Sequence, residues 1–316
     1  VVLAAAKPAR MIDFRYHLIS IIAVLLALSI GIVTGSGFLG GRLLQEVRSA
    51  ARRVADRNQT LRLENSEVRE RAEAAEAALE ALEPGLLDGA LLARTVMMLE
   101  FEGADEDAAG EVRAAVERAG GQIAGVIRFQ EGLSLEDEAS RAEFAALLDG
   151  AGAAPPDLRL ALADALGRAL NEAAAPRDSG DQAGLGNLLT GLENTGLVVT
   201  ENLPIVFPSG TDFVVAGGAV PEPAWPAADF AVTMAQRLAE REGGVVVVEP
   251  TQSTWDMAGA VRRNGATQAV VWTVDNSDTV LGRVASVLVI ERAGNRPANH
   301  YGTQPGASAV VPGPEP

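Results

Sequence analysis

The sequence predicts an α/β protein that is anchored in a membrane by one N-terminal helix. An uncharged apolar segment near the start of the chain predicts a transmembrane helix. A following stretch has apolar residues every seven positions and predicts a coiled-coil stalk. Short apolar runs then alternate with amphipathic segments, as in a mainly parallel, Rossmann-like α/β domain. The predicted organisation is a short tail at 1–17, the transmembrane helix at 18–39, the stalk at 43–83, the α/β domain at 88–292 and a disordered Pro/Gly-rich tail at 293–316.

The apolar segment has no Asp, Glu, Lys or Arg between Tyr16 and Gly41. A helix needs about 20 mostly apolar residues to cross a bilayer. A cleaved signal peptide is the alternative, but its apolar region is usually about 7–15 residues long and a small-residue cleavage site follows it. This segment is longer and no such site follows, so we expect a retained single-pass anchor.

The orientation of this anchor is left open by the charges that flank it. Lys7, Arg10 and Arg15 precede the span, and a larger group of arginines beginning at Arg42 follows it. The positive-inside rule counts such residues, although large domains can be translocated against the bias. The start of the chain is open as well, because Met11 begins a natural-looking sequence, MIDFRYH.

Small residues line one face of the predicted span. Ala23, Ala27, Gly31 and Gly35 are four positions apart, and the last two form a GxxxG motif. This spacing allows two helix backbones to approach closely in a membrane. Small residues are also common in membrane helices without any such role, so the motif supports dimerisation only together with the stalk.

The stalk has no proline or glycine between Leu43 and Glu83. Asparagine at position a fixes the register of a coiled coil and favours parallel pairing. We therefore predict a parallel homodimer or a hetero-coiled-coil with a membrane partner protein; the alternative is a solitary helix packed on its own domain. Position d of the heptads is taken by Val47, Val54, Leu61, Val68, Ala75 and Leu82, and position a by Ala51, Asn58, Asn65, Ala72 and Leu79.

The α/β domain is predicted from apolar runs that are continuous rather than alternating. Such runs indicate strands that are buried on both faces of a parallel sheet. Pro84-Gly85 is expected to end the stalk before the first of them. The predicted strands are Arg94–Phe101, Gln122–Phe129, Gly196–Thr200, Asp212–Ala216, Gly244–Glu249 and Ala269–Val274. The predicted helices follow Asp105 or cover Ser134–Leu148, Asp157–Ala173, Asp181–Leu192, Ala227–Arg241, Trp255–Arg262 and Asp278–Glu291.

Composition excludes several classes of function. The 316 residues include 26 Lys and Arg against 42 Asp and Glu, a net charge of -16, which excludes a generally basic nucleic-acid binder. The absence of cysteine excludes disulfide scaffolds, thiol nucleophiles, zinc fingers and Fe–S centres. The two histidines, His17 and His300, lie near the ends of the chain, which disfavours a His-based triad. No phosphate loop or nucleophile elbow is present, so we predict no enzyme, catalytic residue or cofactor.

The carboxyl ends of the predicted strands are acidic. Glu100, Glu249, Asp275 and Asp278 would share one edge of a parallel sheet, where carboxylates can hold a hard cation. The favoured alternative is structural, because Ser277 or Asp278 is placed to cap the last helix, and Asp105 the first. The adjacent Met97 and Met98 point to opposite faces of one strand and are interpreted as core residues.

Two motifs give the chain a family resemblance. FRYHLIS at Phe14–Ser20 precedes the span, and TVDNSDT at Thr273–Thr279 is followed by Gly282-Arg283. The chain resembles the actinobacterial MctB-type copper transport family, which includes SteB-type cell-division envelope proteins. The resemblance implies a single-pass protein with its C-terminal domain outside the cytoplasmic membrane. It further implies copper efflux or resistance, described for mycobacterial members as pore formation in the outer membrane, whereas corynebacterial relatives pair with a membrane partner and influence septal peptidoglycan hydrolysis.

The residues bear unequally on these roles. A membrane pore requires several spanning helices or a closed barrel, and this sequence offers one apolar helix. Soft copper ligation requires clusters of Cys, Met or His, which the sequence lacks. A role in copper handling is therefore implied by the family resemblance alone. We predict an envelope protein with an indirect role in copper homeostasis, with a non-enzymatic cell-division or cell-envelope scaffold as the alternative and an enzyme at the acidic edge ranked last.

Overall fold

The computed structural model describes residues 14–148, 155–175, 182–219, 221, 223–240, 243–294 and 296–313. The predicted tail before residue 14, including Met11, lies outside them. The chain divides into two compact units, Val1–Ala74 and Ala75–Pro316. The helices are α1 (Phe14–Leu87), α2 (Glu106–Arg118), α3 (Glu138–Leu147), α4 (Pro155–Ala173), α5 (Gln182–Asn194), α6 (Ala227–Leu238), α7 (Met257–Arg263) and α8 (Val280–Arg292). The strands are β1 (Thr95–Phe101), β2 (Gln122–Phe129), β3 (Val198–Glu201), β4 (Asp212–Ala216), β5 (Val245–Val248), β6 (Trp272–Val274) and β7 (His300–Tyr301).

The helix α1 is 74 residues long and contains both the predicted span and the predicted stalk. Its segment Phe14–Gly35 has a mean hydropathy of 2.6 and is, among the described residues, the one stretch of helix long and apolar enough to cross a membrane. This confirms an apolar N-terminal helix, beginning four residues before the predicted start at Leu18. The coiled-coil pairing of the stalk stays a prediction.

The end of α1 differs from the prediction. Pro84 lies inside the helix, which continues to Leu87, so the expectation that Pro84-Gly85 ends it is wrong. Leu87 is fully buried and Glu83 is 4% exposed in the second unit. A proline near a helix end removes one backbone hydrogen bond, and we infer that burial of this last turn offsets that loss.

The second unit is an α/β structure built on a mixed, seven-stranded sheet in the order β3-β2-β1-β4-β5-β6-β7. The pairs from β2 through β1 and β4 to β7 are parallel, whereas β3 is antiparallel to β2. The α/β class is thus confirmed. The Rossmann-like assignment stays a prediction. Between β2 and β3 the chain passes through a 3-10 turn and the helices α3, α4 and α5 instead of a single crossover helix, and β3 runs antiparallel to β2.

Two hydrophobic cores lie on the two faces of the sheet. One contains Phe129 and Phe230 together with residues of α4, α5 and α7. The other contains Val116 of α2 and Ile290 of α8. Met97 belongs to the first core and Met98 to the second, which confirms that these neighbours point to opposite faces. Every residue of β5 is at most 1% exposed, as expected of a strand covered on both faces.

Residues 296–313 follow a defined path in the structure, contrary to the disordered tail predicted at 293–316. His300 and Tyr301 form β7 and pair in parallel with Thr273 and Val274. A proline- and glycine-rich composition indicates irregular backbone, but it does not show whether residues elsewhere in the sequence bind and bury the segment. The unit therefore extends beyond the predicted bounds 88–292 at both ends.

Candidate functional site

The predicted acidic edge begins with Glu100 at the end of β1. Its side chain is 6% exposed and forms ion pairs with Arg113 Nε at 3.2 Å and with Arg128 Nη2 at 3.1 Å. The two arginines come from α2 and β2 and hold the carboxylate on both oxygens. The strand β4 lies between β1 and β5, so Glu100 is not adjacent to the acidic residue that follows β5.

Glu249 follows β5 and is fully buried. It accepts hydrogen bonds from Ser253 Oγ at 2.6 Å, from Ala258 N at 2.9 Å and from Met257 N at 3.2 Å. Burial raises the pKa of Glu249, and these hydrogen bonds oppose the rise. Since Met257 and Ala258 begin α7, the carboxylate binds unpaired backbone donors at a helix N-terminus. Glu249 is thus a structural cap from a neighbouring strand end.

Asp275 follows β6 and is fully buried. Its Oδ2 lies 2.6 Å from Arg262 Nη1, and its Oδ1 accepts from Thr303 N at 2.6 Å and Gln304 N at 3.0 Å. Gly302 has a φ of +126° beside this carboxylate, and a Cβ there would overlap the Asp275 side chain. Asp275 therefore fixes the chain that follows β7.

Arg262 completes this arrangement from α7. Its Nε donates to Thr273 Oγ1 at 2.9 Å, and its Nη2 donates to Tyr301 O at 2.9 Å. Thr273 Oγ1 lies 3.1 Å from His300 Nδ1. Burial lowers the pKa of His300, and the nearby Arg262 acts in the same direction. We call Arg262, Thr273, Asp275 and His300 the C-terminal clamp, because they join α7 and β6 to β7.

Asp278 is exposed and accepts from Thr251 N at 2.7 Å and from Thr251 Oγ1 at 2.8 Å. The cap of α8 is Thr279, whose side chain accepts from Gly282 N at 3.0 Å. The expectation that Ser277 or Asp278 caps this helix is therefore wrong by one or two positions. The predicted cap of α2 is confirmed, because Asp105 Oδ1 accepts from Ala108 N at 3.0 Å.

The four candidate carboxylates each bind groups of the protein itself. Within the described ranges, no group of three or more His, Cys, Asp or Glu side chains is arranged to hold a metal ion. The thioethers of Met97, Met98, Met234 and Met257 are fully buried in the cores, and His300 is 8% exposed inside the clamp. These thioethers and the His300 imidazole are thus largely shielded from solvent, whereas His17 is exposed on the apolar segment of α1.

The switch point of the sheet, between β1 and β4, is filled by protein. Open α/β sheets usually bind ligands in the crevice beyond the strand ends at such a point. Here Asp105 N donates to Gly218 O at 3.1 Å and joins the loops that follow the two strands. A Cβ at Gly217 would overlap Met257 Sδ, and the Phe101 ring centroid lies 5.9 Å from that of Trp225. Loops and side chains of the protein therefore pack directly against one another at this point.

At the opposite end of the sheet, Asp212 is a buried carboxyl at the start of β4, and its effect on stability can be measured. Burial raises its pKa to about 6, although Arg94 Nε lies 3.0 Å away and Gly244 N donates to it at 2.8 Å. A carboxyl whose folded pKa exceeds its unfolded value destabilises the fold as pH rises between the two values. Between about pH 4 and pH 7 we expect ionisation of this group to lower the unfolding free energy by roughly 2 kcal/mol.

Urea unfolding of the full chain in detergent at these two pH values measures the effect. Asp212→Asn keeps an acceptor for Gly244 N and should remove this pH dependence, whereas Asp278→Asn, at an exposed carboxylate, should keep it. Equal pH dependence in Asp212→Asn and the unchanged protein would contradict the prediction.

The predicted heptad seam is exposed along α1. Its large apolar side chains show solvent-exposed fractions of more than half, which is unusual for a row of aliphatic residues on one helix. Around Gly31 and Gly35 an added Cβ would meet nothing within 4 Å, so this face of the apolar segment is open as well. Asn58 and Asn65 are also exposed, and Leu79 is half-buried. The exposed fractions are 60% for Val47, 65% for Val54, 55% for Leu61, 64% for Val68 and 61% for Leu82.

The end of α1 is bound to the α/β unit by groups that sequence reasoning missed. Glu83 accepts from Arg118 Nη2 at 2.8 Å and from Arg283 Nη2 at 3.4 Å. Glu76 Oε1 accepts from Val280 N, the first residue of α8, at 3.2 Å. The partners are 35, 200 and 204 positions apart in the sequence, so no local pattern announces them.

The motif at Thr273–Thr279 and Gly282-Arg283 has a structural explanation. Thr273 and Asp275 belong to the C-terminal clamp, and Thr279 caps α8. A Cβ at Gly282 would overlap the backbone carbonyl of Asn276, so only glycine fits this turn. Arg283 binds Glu83 near the end of α1. The motif thus fixes the last helix and both termini of the α/β unit.

Comparison with known proteins gives the chain its family. The family model described as "Copper transport outer membrane protein, MctB" matches residues 11–312. "Copper transporter MctB" of Mycobacterium tuberculosis (strain H37Rv) and of Mycobacterium bovis is 29% identical over 311 residues, covering 95% of this chain and 99% of the relative. The Mycobacterium leprae protein of the same name is 26% identical over 315 residues, with the same coverage. The chain therefore belongs to the MctB family.

Proposed function

We propose that this protein serves copper homeostasis in the cell envelope as a single-pass, dimeric membrane protein that acts through partners. The role in copper homeostasis is inferred from the description of the family and from the name of the mycobacterial relatives. The single observation that carries the proposed mechanism is the row of exposed seam residues on α1. A row of aliphatic side chains at heptad spacing is stabilised by burial against a second helix.

A parallel homodimer is the arrangement that this helix supports best. Phe14–Gly35 is long enough to span a bilayer, and two copies inserted in one membrane have the same direction. Asn65 at position a would pair with its counterpart across the seam and hold the two helices in register, and Asn58 at position a would set the register of the helix that pairs with the preceding heptad. Gly31 and Gly35 would allow close approach of the two spans. In this proposal the α/β unit lies outside the cytoplasmic membrane, as the family resemblance implies.

We propose that the chain handles copper indirectly and is not an enzyme. Cu(I) favours thiolate, thioether and imidazole ligands, and the described thioethers are in the cores. The filled switch point and the internally paired carboxylates argue for a rigid binding unit rather than a reaction site. The described part of the chain contains one helix long and apolar enough to span a membrane, which also argues against a pore formed by a single copy.

Direct copper binding is tested by titrating the full chain in detergent with Cu(I) against a competing chelator. We expect no site tighter than about 1 μM, because the sequence has no cysteine and the described thioethers are buried in the hydrophobic cores. Gln59→Cys with Leu63→Cys places two thiols four residues apart on the outer face of α1 and should bind Cu(I) in the same assay. One tightly bound copper per unchanged chain would contradict an indirect role.

The alternative function is a non-enzymatic scaffold for cell division or envelope assembly. The same exposed seam favours it, since a partner helix can replace the second copy. The two functions are separated by deleting the gene and comparing copper tolerance with septum shape. Loss of copper tolerance with normal septa supports the copper role, whereas abnormal septa at normal copper tolerance support the scaffold.

A further inference from the structure

The two halves of the stalk carry opposite charges. Between Glu46 and Arg62 there are five arginines against two acidic residues, and between Leu63 and Glu83 there are seven glutamates against two arginines. The seam does not change with the charge, because Val54 in the basic half and Val68 in the acidic half are 65% and 64% exposed. The two halves therefore differ in the charges that flank the seam and not in the exposure of the seam residues.

The flanking positions decide which helix each half accepts. In a parallel coiled coil, position g of one heptad faces position e of the next heptad on the other helix. Glu64 at g would face Arg69 at e in a second copy, which is an attractive pair. Arg57 at g would face Arg62 at e, which is a repulsive pair. Because the dimer is symmetric, each of these pairs occurs twice. Self-pairing is thus favoured in the acidic half and opposed in the basic half.

We propose that the basic half, Glu46–Arg62, binds an acidic amphipathic helix of another protein, while the acidic half pairs with a second copy. Glutamates at e and g of such a helix would oppose Arg48, Arg57 and Arg62. The apolar seam through Val47, Val54 and Leu61 favours a helix over an anionic lipid surface, which would need the charges but not the heptad spacing. This inference rests on the proposed coiled-coil function of the stalk.

The first experiment uses the absence of cysteine in the chain. Val54→Cys and Val68→Cys are matched single-cysteine probes at position d, and oxidation of the full chain in neutral-lipid nanodiscs reports pairing at each. We expect cross-linking at Val68→Cys to exceed that at Val54→Cys by about fivefold to tenfold. Adding Arg57→Glu to Val54→Cys should remove this difference, and adding Arg53→Glu, at the outward position c, should not.

The second experiment supplies an acidic helix as the probe. The probe is a labelled peptide of residues 44–64 with Arg48→Glu, Arg57→Glu and Arg62→Glu, and the unchanged 44–64 peptide is its control. We expect the full chain in neutral-lipid nanodiscs to bind the acidic peptide at least about tenfold more tightly than the control. The double variant Arg57→Glu, Arg62→Glu of the full chain should lose this preference.

The outcomes separate this inference from the proposed function. Equal cross-linking at both cysteines, or equal binding of both peptides, overturns the inference and leaves a dimeric stalk. Loss of acidic-peptide binding when phosphatidylglycerol is added to the nanodiscs also overturns it, because the arginines would then serve lipid. Absence of cross-linking at Val68→Cys as well would overturn the dimeric stalk itself.

Discussion

Replacing Asp275 with alanine is expected to lower the unfolding free energy of the α/β unit by about 3–5 kcal/mol. The substitution leaves the Arg262 guanidinium buried without its carboxylate, whose Oδ2 lies 2.6 Å away. It also removes the acceptor of Thr303 N and Gln304 N, so the segment after β7 loses its anchor. Urea unfolding followed by tryptophan fluorescence measures the loss, because Trp272 of β6 stacks on Tyr301 of β7.

Asp278→Ala is the matched control for this prediction. Asp278 was grouped with Asp275 by sequence, but it is exposed and binds Thr251 at the surface. Its replacement should cost about 1 kcal/mol or less. Limited proteolysis should cut Asp275→Ala, and not Asp278→Ala, within residues 296–313. Equal stability of the two variants would show that the clamp contributes little.

Aspartate at the seam is expected to convert the proposed dimer to monomers. Val68→Asp places two like charges at position d of the acidic half, where paired helices exclude water, and Leu61→Asp places a charge in the seam of the basic half. We expect the dimer dissociation constant to rise by more than about 100-fold, because each buried charge costs several kcal/mol. Sedimentation of the full chain in density-matched detergent measures the mass of the assembly.

Leu63→Asp is the control, since Leu63 is also 64% exposed on α1 but lies at the outer position f. It introduces the same charge one turn or less from the seam and should leave the dimer intact. A seam variant that sediments like the control and the unchanged protein would contradict pairing through the stalk.

The sequence predicts the fold better than it predicts the site. Apolar runs locate the strands β1, β2 and β4–β6 because burial on both faces leaves a local signature. The direction of β3 and the presence of β7 were not predictable in this way. Both depend on pairing with β2 or β6, and β7 depends on partners such as Arg262 that lie far away in the sequence.

The acidic residues show the same limit at the level of chemistry. Sequence position correctly brings Glu100, Glu249 and Asp275 to the carboxyl ends of strands. It does not show that Arg128 and Arg262 neutralise two of them, because ion pairs between distant elements follow no period. Heptad spacing does give a local signature, so the candidate seam could be read before the fold was known.

We propose that pairing of the stalk, rather than ligation of copper by this chain, carries the function. This is tested by the copper tolerance of cells in which the seam variant replaces the unchanged protein. Leu61→Asp with Val68→Asp is predicted to give the copper sensitivity of a deletion strain, while Leu63→Asp gives unchanged tolerance at equal protein levels. Full copper tolerance with a stalk that sediments as a monomer would contradict the claim.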